Sequence, residues 1–286
     1  MSITVSLINM KGGVGKTTLS MQIVYAAAIA GRRVLAVDID PQANLSQSLM
    51  GGRRYLNEVV DQNRPTIVEI FEGYRPTKTG QPGPKIVRTD ALTVKDITYL
   101  CRAGGCLHLI PSRLELARTL KNPQGTQGKL AEFLARVDGE YDLIVIDCPP
   151  TESGLTDAAY LASRYVLVPV KPEFLATIGL PLLARSIGDF KSQNRDHEID
   201  ICGIVFNYSS SNSTGPEVQQ SIREVTGIAA KNGWPIFPKP IRHSRSYAKA
   251  AREGRPISRT SYARWNVASE LDQFIRRFSE SIGLVP

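Results

Sequence analysis

The sequence has no apolar run approaching the ~20 residues that cross a bilayer, and it enters a β-rich apolar segment at Ile3 without a leader-like stretch. The expectation is a soluble, cytoplasmic protein. Cysteine is scarce. Cys101, Cys106, Cys148 and Cys202 form no CxxC pair, which argues against a disulfide framework or a thiolate metal site. No stretch reads as a linker long enough to separate one domain from another, so residues 1–286 are read as one domain, with an apolar fraction of 42% sufficient for a large core. Acidic residues are nearly missing from 231–264. Nine cations (Lys231, Lys239, Arg242, Arg245, Lys249, Arg252, Arg255, Arg259, Arg264) stand there against Glu253 alone, so this stretch carries as much net charge as the whole chain, +8. Charge so concentrated suits a polyanionic partner, although a solvated helix face has the same composition.

What is present is dominated by Lys11-Gly12-Gly13-Val14-Gly15-Lys16-Thr17-Thr18, between the apolar run Ile3 to Ile8 and the apolar-periodic segment Leu19 to Ala30. Strand, glycine loop and helix in that order make an anion cradle. Glycines 12, 13 and 15 let the backbone take positive φ and turn N–H groups inward, and the helix adds its unpaired first-turn donors. Lys16 supplies a point charge for β/γ-phosphates and Thr17 a hydroxyl for Mg²⁺. Met10 occupies the place of the leading glycine in G-x-x-x-x-G-K-[ST], so the match is to the deviant form with two lysines.

Two further strands end in acids. Arg33 to Gln42 reads as a buried strand ending in Asp38 and Asp40, which share one side of an extended chain; either acid would also serve as a cap for a helix over 43–50. Tyr141 to Pro150 reads as a strand whose terminal Asp147 orients Mg²⁺. Strands are also expected at 107–110, 165–170 and 199–207, with helices at 66–71, 113–120, 127–137 and 174–191. These predict a doubly wound, mostly parallel α/β sheet with helices on both faces. A Pro/Gly-rich loop at 75–85 and β-like runs at 85–88 and 96–100 suggest an edge insertion over about 75–105. His108 reads as a local hydrogen-bonding group.

Near the C-terminus, Ser244 to Glu253 reads as a short helix closed by Gly254, with Arg245, Lys249 and Arg252 on one face and Tyr247, Ala248 and Ala251 on the other. A final helix over 265–282 spaces Trp265, Ala268, Leu271, Phe274, Ile275 and Phe278 as an apolar stripe packed on the sheet.

Lys11 to Thr18, Asp38 to Gln42 and Asp147 to Pro150 together resemble the ParA/MinD group of deviant Walker-box ATPases, in particular its ParA (Soj) partition branch. The resemblance implies an ATPase that takes ATP and Mg²⁺. Lys11 would reach the phosphates held by a second subunit in a nucleotide-sandwich homodimer. Lys16 and Thr17 would serve their own nucleotide, with Gly12, Gly13, Val14, Gly15 and Thr18 completing the cradle. Asp40 would position the attacking water, Asp38 and Asp147 would support the metal, and Asn207 with the backbone near Pro256 would line the adenine pocket. It further implies nonspecific double-stranded DNA binding on the nucleoid through Arg242, Arg245, Lys249, Arg252 and Arg255, since no separate helix-turn-helix precedes the loop. A ParB-like adaptor would stimulate turnover, and the cargo would be a plasmid, a chromosome or a protein organelle such as a carboxysome. Ile241-Arg242 and Lys249-Ala250 depart from the family's usual Ile-Pro and Glu-Ala. A MinD-like membrane ATPase is the alternative, but residues 279–286 lack the basic amphipathic tail it requires, so no stable membrane association is expected. An iron–sulfur electron-transfer ATPase would need cluster cysteines in surroundings that Cys101 and Cys106 lack.

Overall fold

The computed structural model describes residues 1–72, 92–93, 101, 104–119, 127–209 and 215–284. Short β-branched runs become strands: β1 (Ile3–Leu7), β2 (Arg33–Asp38), β3 (Leu92–Thr93), β4 (Cys106–Ile110), β5 (Leu143–Asp147), β6 (Tyr165–Val170), β7 (Asp200–Ser209) and β8 (Ile241–Arg242). They form one sheet in the order β3-β4-β2-β5-β1-β6-β7-β8. Every pairing is parallel except β3, which runs antiparallel on the edge of β4. The expected doubly wound, mostly parallel sheet is therefore present. The runs at 85–88 and 96–100 and the loop at 75–85 lie outside the described residues.

The helices are α1 (Lys16–Ile29), α2 (Asn44–Met50), α3 (Gly52–Tyr55), α4 (Ile67–Glu72), α5 (Leu116–Thr119), α6 (Lys129–Arg136), α7 (Gly154–Ala162), α8 (Phe174–Gln193), α9 (Pro216–Lys231), α10 (Arg245–Glu253) and α11 (Trp265–Ser281). Alternation along each strand splits the core in two. Val5, Leu7, Val34, Ala36, Leu143 and Val145 face α1, α2, α10 and α11, while Leu35, Val37, Ile144 and Ile146 face α4, α6, α7, α8 and α9. Covered on both faces, the central strands are mostly apolar; β1 adds Thr4 and a buried Ser6, whose hydroxyl pairs with Ser163. The α3, α7 and α9 helices and strands β3 and β8 were not anticipated.

The terminal helix forms as expected and buries Leu271, Phe274 and Phe278 of the expected stripe together with Val267, whereas Trp265 is 84% exposed and falls outside it. Six residues before Leu271 at about 100° per residue, Trp265 lies roughly 120° round the helix from that seam.

The approach of β7 to the segment before β8 leaves no room for a side chain at Gly203. A Cβ there would stand 2.9 Å from Phe237 Cδ2 and closer still to Cε2, in a ring that packs edge-on against Phe274 at 5.1 Å. Gly203→Ala is therefore expected to destabilise the fold by about 1–3 kcal/mol, read as a lowered midpoint in urea; an unchanged midpoint would show that Phe237 is free to move.

Candidate active site

β1, β2 and β5 end side by side, with Leu7 and Asp38 both in register with Asp147. The sheet order also turns at β1, because the chain crosses β5 to reach β2 and later returns to β6 on the other side. Open α/β sheets form their ligand crevice at such a point, beyond the carboxyl ends of the strands.

The loop leaving β1 is shaped by two glycines. Gly13 and Gly15 take φ of 75° and 93°, a region that costs a residue with a Cβ about 1 kcal/mol, and α1 starts from Gly15. Gly12 does not use positive φ, which corrects the expectation for that position; its neighbour is Pro150, whose Cβ would lie 3.9 Å from an added methyl. Asn9 fixes the start of the loop, accepting from Lys11 N–H at 2.9 Å and donating to Pro169 O at 2.7 Å. No side chain caps α1 and its first turn carries no acid, so its free N–H groups and dipole present positive potential to the loop. Val14 and Lys16 are buried, Gly12 and Gly13 are exposed, and Thr17 and Thr18 are half-buried. The Lys16 ammonium donates to Asn9 O at 2.9 Å and Lys11 O at 3.1 Å. Burial lowers its pKa, opposed first by the charge of Asp147.

Asp147 is fully buried and joins loop to sheet: its carboxylate accepts from Thr17 Oγ1 at 2.7 Å and Ser20 Oγ at 2.9 Å. Asp38 accepts from Asp40 N at 3.1 Å and from Ser46 N and Oγ at 2.8 and 2.7 Å, and so also caps α2. Ser46 Oγ in turn accepts from Ser112 N at 2.9 Å. Asp40, also buried, accepts from Gln42 N at 2.9 Å. Burial raises the pKa of both Asp38 and Asp147. Repulsion from Asp147 adds to the rise at Asp38, while the hydroxyls of Thr17 and Ser20 hold Asp147 down. Two carboxylates and a hydroxyl form a donor set for a hard cation such as Mg²⁺. Mg²⁺ is commonly held by one or two carboxylates and completes its shell with phosphate and water. Ser20 and Ser46 were not anticipated, although Ser20 sits three residues beyond Thr17 on the same helix face.

Lys11 is ion-paired within its own chain, to Glu173, which also binds Lys171 at 2.8 Å. Glu173, immediately before α8, was not anticipated. Asn207 comes to the loop, donating to Val14 O at 2.8 Å. Pro256 lines a cavity of ≈ 690 Å³ between α1 and α11 with Ala26 and Leu271, and Ile257 N donates to Gln22 there at 2.9 Å. His108 makes the local contact expected of it, to Tyr141 Oη at 2.9 Å.

Ser244 caps α10 by accepting from Ser246 N at 3.2 Å, and Gly254 closes it at φ 62°. Ser246, Tyr247 and Ala250 face the core, whereas Ala248 is exposed, contrary to expectation. The five expected DNA-contacting cations differ. Arg245, Arg252 and Arg255 are exposed and make no salt bridge among the described residues, while Lys249 pairs with Glu253 at 3.3 Å and Arg242 Nε with Glu270 at 2.8 Å.

A family model described as an AAA domain matches residues 2–201. The chromosome partitioning protein ParA of Caulobacter vibrioides is 30% identical over 258 residues, covering 88% of this chain and 85% of that protein. The chromosome-partitioning ATPase Soj of Treponema pallidum is 29% identical over 259 residues, 90% of each chain. A McdA–ATP complex from Cyanothece superposes with a TM-score of 0.73 at 20% identity over 100% of this chain and 98% of that one, a likeness of fold. With the phosphate loop, the second lysine and the strand-end acids in place, the chain belongs to the ParA/Soj family of deviant Walker-box P-loop ATPases.

Proposed function

We propose that this ATPase is a nucleotide-switched positioning protein: its ATP-bound form pairs with a second copy, holds nonspecific duplex DNA and turns over when a cargo-bound, ParB-like adaptor engages it. The convergence of Lys16, the Thr17–Asp147 hydrogen bond and Asp40 at one end of the sheet carries the reading. The loop N–H groups and Lys16 would hold the phosphates of ATP, Thr17 with Asp147 and Asp38 the Mg²⁺, and Asp40 the attacking water. Bound there, Mg²⁺ neutralises charge on the phosphoryl oxygens.

Lys11 supplies the switch. Its ammonium leaves Glu173 for a phosphate of the second copy only when two copies meet, an interaction that distinguishes paired from separate chains and so biases the equilibrium. Pairing doubles the arginine face of α10, and each added phosphate contact brings affinity and salt sensitivity. The apolar face of α11 is already packed in the core through Leu271, Phe274 and Phe278, so it is not offered to a lipid surface.

Lys16→Ala is expected to weaken nucleotide binding at least 100-fold in a calorimetric titration. Asp40→Ala is expected to keep ATP, accumulate pairs and lose about 10²-fold or more in turnover; normal turnover would remove Asp40 from the reaction. Arg245→Glu with Arg252→Glu should weaken retention of duplex DNA and reduce the slope of log K against log salt by about 2 for each chain, about 4 for the pair, and an unchanged slope would place the DNA elsewhere.

A pH dependence follows from the buried acids. Asp38 and Asp147 titrate higher folded than unfolded, so the native state retains protons that the unfolded chain has lost. Their contribution to stability is full below the unfolded pKa of about 4 and falls as pH rises through the raised folded values. The thermal midpoint of ligand-free protein should therefore decline more steeply with pH in the native chain than in Asp147→Asn, and equal slopes would show that burial does not perturb the pair.

A further inference from the structure

Trp265 is 84% exposed at the start of α11, where the helix's own seam turns it outward. It stands at the end of a segment fastened to α10: Ser246 Oγ donates to Tyr262 O at 3.0 Å, and Ser261 N donates to Glu253 at 3.0 Å. Tyr262 is itself 43% exposed, and the Arg264 guanidinium lies 4.9 Å from its ring centroid while donating to its hydroxyl. The nearby Arg259 is exposed and makes no salt bridge among the described residues. Two open rings and an arginine thus lie within four residues of one another, on the segment fastened to the basic helix. Cations alone bind phosphate without regard to what the phosphates carry, whereas an exposed indole adds a flat apolar face on which an unpaired base stacks.

We propose that Trp265, with Tyr262 and Arg264 beside it, is a base-stacking platform that lets the basic face of α10 hold single-stranded or locally opened DNA. The proposal rests on reading α10 as a nucleic-acid surface. Duplex DNA keeps its bases stacked on one another and engages the arginines; an unpaired strand engages the arginines and the indole together. The platform is sequence-tolerant, because every base has a π-face.

The chain contains two tryptophans, so the test is spectroscopic as well as thermodynamic. The full-length protein is titrated with oligothymidylate, a duplex of equal length and inorganic polyphosphate, and compared with Trp265→Phe and Trp265→Ala. Oligothymidylate should quench tryptophan emission in the native protein and not in Trp265→Phe, while polyphosphate binds without quenching. Trp265→Ala should lose about tenfold or more in affinity for oligothymidylate and keep its affinity for polyphosphate, with Trp265→Phe in between. Equal oligothymidylate affinity in all three proteins, or quenching by polyphosphate as strong as by oligothymidylate, overturns the platform. A change in sedimentation of Trp265→Ala with unchanged oligothymidylate affinity also overturns it, making the indole a protein contact. Failure of all three polyanions to bind the native protein would instead refute the nucleic-acid reading of α10.

Discussion

The carboxylate of Asp147 is the point at which fold and site become one object. Its two oxygens take the hydroxyls of Thr17 and Ser20, one helical turn of α1, and so dock the phosphate loop's helix on the end of β5. β5 lies between β1 and β2 in the sheet, so this contact also fixes how the chain leaving β1 passes over its neighbour. Burying a carboxylate is unfavourable, and two hydroxyl donors with Lys16 nearby offset some of that cost. Under the proposed site, a divalent cation would relieve the remainder. Asp38, in register with Asp147 and held by Ser46, adds a second buried acid that is satisfied as a cap yet remains under repulsion from its neighbour. One arrangement thus serves folding and ligand binding, with opposite demands on charge.

Lys11 is constrained differently. Its backbone is held by Asn9 while its side chain, 23% exposed, rests on Glu173. A partly exposed ion pair of this kind contributes about 0–1 kcal/mol, and Lys171 remains to satisfy Glu173 when Lys11 departs. The restraint on the second lysine is therefore weak, whereas a charge-assisted contact to phosphate inside a dry interface is stronger. Under the proposed pairing, the cis contact keeps the lysine positioned without opposing its transfer.

The regions of the molecule that could be read from sequence are those whose cause is local. Glycines before Lys16, apolar runs ending in Asp38 and Asp147, and the Ser244 and Gly254 stops of α10 each declare themselves within a few residues. Ser20, Ser46 and Glu173 did not, because their roles exist only once β5, β2 and the loop are neighbours. Trp265 shows the same limit: apolar spacing admits it to the α11 stripe, and only the packing of Val267, Leu271, Phe274 and Phe278 selects the phase that excludes it. The hydrogen bond that seats Ile257, next to Pro256, on Gln22 is likewise one that spacing does not reveal.

The basic segment shows why net charge is a poor count of binding capacity. Nine cations against one acid within 231–264 suggest a uniform stripe, yet the acids that matter come partly from outside it: Glu270 on α11 takes Arg242, and Glu253 takes Lys249. A cation already paired must break that contact to reach a phosphate, so it adds less affinity than an arginine without a carboxylate partner. Under the proposed role the working surface would be the subset Arg245, Arg252, Arg255, Arg259 and Arg264, and it is small. Under the proposed DNA-binding role, with affinity falling steeply with salt for each phosphate contact, a few arginines on one chain would hold DNA weakly at physiological ionic strength, and two copies side by side would hold it far better. The modest size of the face is what would let pairing at the nucleotide site decide whether DNA is held at all.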